Sequence, residues 1–168
     1  MQIKVFEVDI YGKCGPYKCT NKPGIFPCDP KIYTEYKFYL SFENSICQDY
    51  VTEKLFNTMI YPIVPIVLGG ADYTKYAPKN SFINVEDFKN PRDLAEYLTL
   101  LDRNQTEYLN YLKWKRQYSI VRRFPICALC EMLNNDYLPP KIYKNLHEWW
   151  FGKPNQKICT PGNKMPYF

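Results

Sequence analysis

Residues 36–70 constrain the fold more than any other part of the chain. Residues 36–42 (YKFYLSF) alternate as a strand, with Phe38, Leu40 and Phe42 on one face. Glu43 and Asn44 close that strand. After a short polar loop, Val51, Leu55 and Met59 recur at i, i+4 and i+8, with Phe56 widening the stripe, which predicts a helix. Thr52 stands where an N-cap is needed, because its hydroxyl can accept from a backbone amide one turn in. Residues 63–68 (IVPIVL) then form a second strand, apolar throughout and ending in Gly69 and Gly70. Pro65 has no amide hydrogen, so it belongs near the start or edge of that strand. Two strands joined by a helical crossover pair in parallel, and ligands of such sheets bind beyond the carboxyl ends of the strands.

The polar residues cluster at that level. Lys54 supplies a mobile point charge suited to a phosphate. Glu53 would repel a phosphate, and an acid in this place more often accepts from ribose hydroxyls. Tyr50 can donate its phenol to a phosphate oxygen. Free amides at the helix start would also face an anion. An ordinary amphipathic helix with Glu53 and Lys54 in solvent explains the spacing equally well, so helix grammar alone does not decide.

The order of the whole segment resembles the alpha-1,3-fucosyltransferase family. The residues that carry the likeness are Phe42-Glu43-Asn44-Ser45, Tyr50-Val51-Thr52-Glu53-Lys54 and the run from Val64 to Gly70. It extends through Asp72-Tyr73, Tyr76-Ala77-Pro78, Ser81-Phe82-Ile83 and Leu94-Ala95-Glu96-Tyr97-Leu98, and begins at Val8-Asp9-Ile10-Tyr11-Gly12. It weakens after Trp114 and returns at Cys127, Cys130 and residues 147–150.

The resemblance implies an α/β fold: a Rossmann-like parallel sheet with flanking helices, the C-terminal half of a GT-B type glycosyltransferase. Residues 1–151 would form the GDP-fucose-binding domain with a helical C-terminal part, and residues 152–168 a tail. It implies that Tyr50 and Lys54 contact the donor diphosphate and that Glu53 bonds the ribose. Asn44 would lie at the nucleotide, with Glu43 near it and Thr52 in the same donor-binding block. The donor would be GDP-fucose and the acceptor N-acetylglucosamine in a glycoprotein N-glycan, linked alpha-1,3 with inversion. No cofactor is required by this reading, although stimulation by a divalent metal is compatible with it.

No catalytic residue is assigned to this chain. The resemblance places the general base in an acceptor-binding half upstream, so the chain is expected to be truncated and inactive alone. A catalytically inactive secreted nucleotide-sugar or glycan-binding module is the alternative.

Hydrophobic residues make up 46% of the 168 and charged ones 23%, enough for one domain with a core. The net charge of +5 is modest. Its densest cluster, Lys113, Lys115, Arg116, Arg122 and Arg123, comes without a stacking platform, so it reads as a solvated face and no nucleic-acid partner is expected. No run of about 18 apolar residues spans a membrane, and residues 1–6 do not resemble a signal peptide. Seven cysteines and the sequon at Asn104 nevertheless suit an oxidising compartment. The family resemblance reconciles these: type II Golgi membrane proteins with a luminal catalytic domain, the anchor lying N-terminal to this chain.

Cys14, Cys19, Cys28, Cys127, Cys130 and Cys159 are disulfide candidates, with Cys47 left as the unpaired one because the count is odd. A zinc site at Cys127 and Cys130 lacks histidine partners at ligand spacing, and no metal site is assigned. Elsewhere the patterning predicts a strand over residues 3–11, a long loop over 12–35 and a short strand at 81–85. Helices are expected at 90–101, 106–114, 124–133 and 143–150. His147 beside Glu148 sits among tryptophans, which favours a packed helix over acid–base work.

Overall fold

The structure, a computed structural model, describes residues 7–12, 14–19, 32–121, 125–153 and 155–160. A short helix α1 (Ile32–Glu35) leads into strand β1 (Phe38–Phe42), and β2 (Ile46–Cys47) is a two-residue strand in the following loop. Helix α2 (Glu53–Met59) crosses over to β3 (Val64–Leu68), and β4 (Ile83–Asn84) follows. The sheet order is β1-β3-β4, parallel throughout, with Phe38 opposite Val64, Phe42 opposite Leu68 and Ile66 opposite Ile83. The expected parallel crossover unit is therefore present.

β3 is the central strand and all five of its residues are buried. Strand alternation sends Val64, Ile66 and Leu68 to one face and Val67 to the other. On the first face they meet Leu98 and Leu101 of α3 (Pro91–Arg103) and Tyr108 of α4 (Gln105–Asn110). On the second, Val67 packs with Leu55, Met59, Tyr73, Ala77 and Trp114. The sheet is thus covered by helices on both sides, as in doubly wound folds. Leu55 and Met59 are almost fully enclosed, and side chains of this size contribute about 2–3 kcal/mol each on burial. Pro65 falls near the strand start, before the pairing with β4 begins at Ile66.

α3 starts where the sequence indicates. Asn90 caps it by accepting from the Arg92 and Asp93 amides at 2.9 and 3.0 Å, with Pro91 in its first turn. The Tyr108 hydroxyl reaches the carbonyls of Lys37 and Pro62 at 3.0 and 3.2 Å, tying α4 to the amino-terminal ends of β1 and β3. The exposed Lys37–Asp102 pair at 2.7 Å adds little beyond this.

Several expectations change. Residues 7–10 are irregular, not a strand; Tyr11 makes a single bridge to Tyr17, and the Tyr36 hydroxyl donates to Asp9 at 2.7 Å. Positions 3–6 lie outside the described residues. The helix read over 106–114 ends at Asn110 and resumes as a 3-10 turn at Lys113–Arg116. Lys115 there is no solvated charge. Half-buried, it donates to the Met59 carbonyl at the end of α2 and lies 4.6 Å from the Trp114 ring centre. A cation at a helix C-terminus is favourable, although burial lowers the lysine's pKa. Arg122 and Arg123 lie outside the described residues.

α5 (Pro125–Leu133) and α6 (Leu146–Phe151) form near the expected positions. Their apolar side chains stay exposed, however, including Ile126, Met132 and Trp150. The His147 ring lies against Phe151, tilted by 43° with centroids 4.8 Å apart, within an unburied helix and not the packed one expected. After α6, β5 (Gly152–Lys153) pairs with β6 (Gln156–Lys157), and β7 (Cys159–Thr160) pairs antiparallel with β2. Among the described residues no helix is long and apolar enough to cross a membrane.

Candidate functional site

The site is built where β1 ends. Backbone pairing runs one residue past the strand, with the Glu43 amide donating to the Leu68 carbonyl at 2.9 Å. That bond fixes the direction of the Glu43 side chain, whose carboxylate has no solvent exposure. One carboxylate oxygen accepts the Thr52 amide at 2.8 Å. The other accepts the Thr52 hydroxyl at 2.8 Å and the Lys54 ammonium at 3.4 Å. Burying a carboxylate is costly unless it is paired and hydrogen-bonded, and this one is both.

Thr52 caps α2 as expected. It has extended backbone, and its side chain accepts from the Lys54 amide at 3.5 Å. The Lys54 ammonium also donates to the Thr52 hydroxyl oxygen at 3.1 Å and lies 3.8 Å from the Glu53 carboxylate. The Lys54 side chain keeps 29% exposure and Glu53 keeps 69%. The structure therefore brings Glu43, Thr52, Glu53 and Lys54 together at an open edge. Asn44 is exposed immediately after Glu43, and Tyr50, half-buried, stands two residues before the cap. The Tyr50 amide donates to the Cys47 carbonyl at 3.2 Å, which folds the loop into a turn.

Two expectations are refined here. Glu43, expected near the nucleotide, lies at the site with its carboxylate enclosed and bonded to protein donors. The expected amide-lined anion site is smaller, because the Thr52 and Lys54 amides are taken by the Glu43 and Thr52 side chains. α2 has only seven residues, so its dipole is modest and Lys54 is the principal positive charge.

The floor of the site was not legible from motif spacing. Tyr73, 2% exposed, places its hydroxyl against Gly69, and that oxygen has no hydrogen-bond partner among the described residues. Burial first, then the charges of Glu43 and Glu86, push its pKa up. Ser41 and Thr58 are both buried; Thr58 donates its hydroxyl to the Lys54 carbonyl at 2.8 Å, and the Ser41 hydroxyl donates either to Thr58 at 3.1 Å or to that same carbonyl at 3.2 Å. Ser41 thus anchors α2 on the strand face opposite Phe38 and Phe42. The paired glycines were the available signal for close approach at this end of β3.

The cysteines depart most from expectation. Cys47, read as unpaired, is bonded to Cys159, joining β2 to β7 and the C-terminal segment to the loop that carries Tyr50. Cys127 and Cys130 are free and exposed on α5, and Cys14 is also free. Three residues along a helix turns both side chains to one face, but the two sulfurs are not bonded to each other. Cys19 is disulfide-bonded, and Cys28 lies outside the described residues. Asn104 is exposed and caps α4, its side-chain oxygen accepting from the Glu107 amide at 3.2 Å. Among the described residues no cluster of three or more His, Cys, Asp or Glu is arranged to hold a metal ion.

A parallel strand–helix–strand unit with an ion-paired lysine at its carboxyl edge defines a Rossmann-like, ligand-binding α/β domain. The chain belongs to glycosyltransferase family 10, the fucosyltransferases, since residues 1–149 match the family model described as "Glycosyltransferase family 10 (fucosyltransferase) C-term". It is 42% identical over 162 residues to the glycoprotein 3-alpha-L-fucosyltransferase A of Drosophila melanogaster, covering 94% of this chain and 31% of that protein. It is 40% identical over 148 residues to the alpha-(1,3)-fucosyltransferase C of the same organism, covering 87% and 34%. A crystal structure of an alpha1,3-fucosyltransferase superposes with a TM-score of 0.49 at 25% identity, over 75% of this chain and 42% of that one. The chain spans about a third of the length of these two curated relatives.

Proposed function

We propose that this chain is the donor-binding domain of an alpha-1,3-fucosyltransferase. It would hold GDP-fucose at the edge formed by residues 43–54. The observation that carries this reading is the Lys54 ammonium, held at the start of α2 beyond the carboxyl end of β1 and still open to solvent. Lys54 and Tyr50 would take the diphosphate, Glu53 the ribose hydroxyls and Asn44 the nucleotide.

In the reaction, the oxygen of an N-acetylglucosamine hydroxyl in a glycoprotein glycan attacks the fucose anomeric carbon. The bond from that carbon to the diphosphate oxygen breaks on the opposite face, which inverts the centre. GDP leaves with the bonding pair, and its growing charge is met by Lys54. The hydroxyl proton passes to a carboxylate base, following the logic of inverting glycosidases. That base is assigned to a part of the enzyme outside this chain, so the chain by itself binds donor without transferring fucose.

A stimulating divalent cation would be held chiefly by the diphosphate. Lys54 faces two carboxylates, Glu43 and Glu53, and leaves the diphosphate charge unbalanced. The compartment proposed is the Golgi lumen, with a type II anchor outside this chain. The Cys47–Cys159 bond suits that oxidising setting, as does the exposed sequon asparagine Asn104.

Thermal denaturation with GDP tests the proposal. A ligand at 100 times its Kd stabilises by about 2.7 kcal/mol, so millimolar GDP should raise the Tm by several degrees and Lys54→Ala should remove most of the gain. A cooperatively folded chain whose Tm ignores millimolar GDP sinks the donor-binding reading and favours a binding module of another kind.

A further inference from the structure

We propose that Glu43 is a positioning residue of the donor site, acting on the diphosphate through Lys54 and Thr52 without touching the ligand. This rests on the donor-binding reading above. Its side chain has no exposure, and both oxygens are occupied by the Thr52 amide, the Thr52 hydroxyl and the Lys54 ammonium. A carboxylate so enclosed, with both oxygens already bonded to protein donors, is not open to a ligand in the crevice.

The surroundings hold Glu43 in this role. Its amide extends the β1–β3 ladder by bonding the Leu68 carbonyl at 2.9 Å, so the acid is fixed to the rigid sheet and not to the loop. Gly69, just past the end of the neighbouring strand, leaves the room it needs, since a Cβ there would come within 3.1 Å of the Glu43 Cγ. From this anchor the carboxylate grips the cap residue and the lysine together. The start of α2 and its only basic side chain are therefore registered to the end of β1 by one group.

Lysine is a compact charge on a flexible four-carbon stem, and ordering it costs rotamer entropy. Glu43 and Thr52 order it before the donor arrives. One ammonium hydrogen then remains for a phosphate oxygen after those to Glu43 and Thr52 are spent. Binding energy that would go into ordering Lys54 appears as affinity for the diphosphate.

The test uses the full chain as wild type, Glu43→Gln, Lys54→Ala and the double variant, titrated calorimetrically with GDP and with guanosine. Glutamine still accepts from Thr52, but its amide group repels the ammonium. Glu43→Gln should weaken GDP about tenfold and leave guanosine within about twofold, and it should add nothing in the Lys54→Ala background. Equal losses for both ligands, or losses that add in the double variant, overturn the proposal. Glu43→Asp, which keeps the charge but withdraws it, should show the same pattern with a smaller loss; an undiminished GDP affinity there counts against it.

A ligand-free readout separates this from failure of the donor reading. The Lys54 ammonium protons should be visible by nitrogen-correlated NMR in the wild type and lost to exchange in Glu43→Gln. If GDP does not bind at all but the signal is lost, the donor reading fails while the Glu43–Lys54 link stands. An unchanged signal refutes the link itself.

Discussion

Gly70 lies directly against the Cys47 backbone. A Cβ on Gly70 would sit 2.6 Å from the Cys47 carbonyl oxygen, with the carbonyl carbon and amide nitrogen at 2.7 and 2.8 Å. All three are main-chain atoms, so no side chain can swing aside to relieve the overlap. The loop between β1 and α2 can pass over the end of β3 only because this position has no side chain. Gly70→Ala should push β2 away and destabilise the domain by about 2 kcal/mol, weakening GDP binding as well because the same loop carries Asn44 and Tyr50. Urea unfolding checks the first part. An unfolding free energy within about 0.5 kcal/mol of the wild type would mean that the approach is not tight.

Tyr73 gives a prediction of opposite sign. Its hydroxyl is buried without a partner among the described residues, and an unpaired buried polar group costs stability, whereas its removal in an isosteric swap does not. Tyr73→Phe should be neutral or stabilising by up to about 1 kcal/mol in chemical denaturation. The ring contact with Phe82, at 5.7 Å between centroids, is retained. A loss above about 1 kcal/mol would show that the hydroxyl has a bonding role.

How much of this was legible in the sequence depends on the range of the interaction. The capped helix and the grouping of Thr52, Glu53 and Lys54 follow from spacing within about ten residues, the parallel crossover from the strand–helix–strand order of one continuous segment, and all three are seen. The inward turn of Glu43 depends on Leu68 and Gly69, which pack beside it only after the sheet forms. The Cys47–Cys159 bond joins positions separated by 112 residues, and counting seven cysteines cannot select that pair. The strand expected near the start failed because its alternation was correct but no partner edge takes it up at residues 7–10. α6 was read as packed from its tryptophans, and composition does not say what a face packs against.

The Cys47–Cys159 bond should carry much of the stability of the site loop. In the chain-entropy account, closing a loop over 112 residues constrains the unfolded chain by roughly 4–5 kcal/mol. The variant Cys47→Ala with Cys159→Ala isolates it from the disulfide made by Cys19, which a reductant would also break. Its unfolding free energy in urea should fall by an amount of that order, and amide exchange at residues 46–50 should accelerate as the β2–β7 pairing loosens. Unchanged exchange there would mean that β2 holds its place without the bridge.

Alkaline pH provides the last test, through Tyr108. Burial pushes its phenol up to about 12, against about 10 in an unfolded chain. Between these values the unfolded chain has released a proton that the folded chain retains, so stability falls as pH rises. The contribution is complete below pH 10 and lost on passing through pH 12. Tyr111 shifts in the same direction, by burial and its bond to Tyr97, so the slopes add. Urea unfolding at pH 9 and pH 11 should show a clear drop in the wild type. Tyr108→Phe should be less stable at pH 9, having lost its bonds to the Lys37 and Pro62 carbonyls, and should drop less between the two. A variant as pH-sensitive as the wild type would place the titrating group elsewhere and leave Tyr108 with only its hydrogen-bonding part.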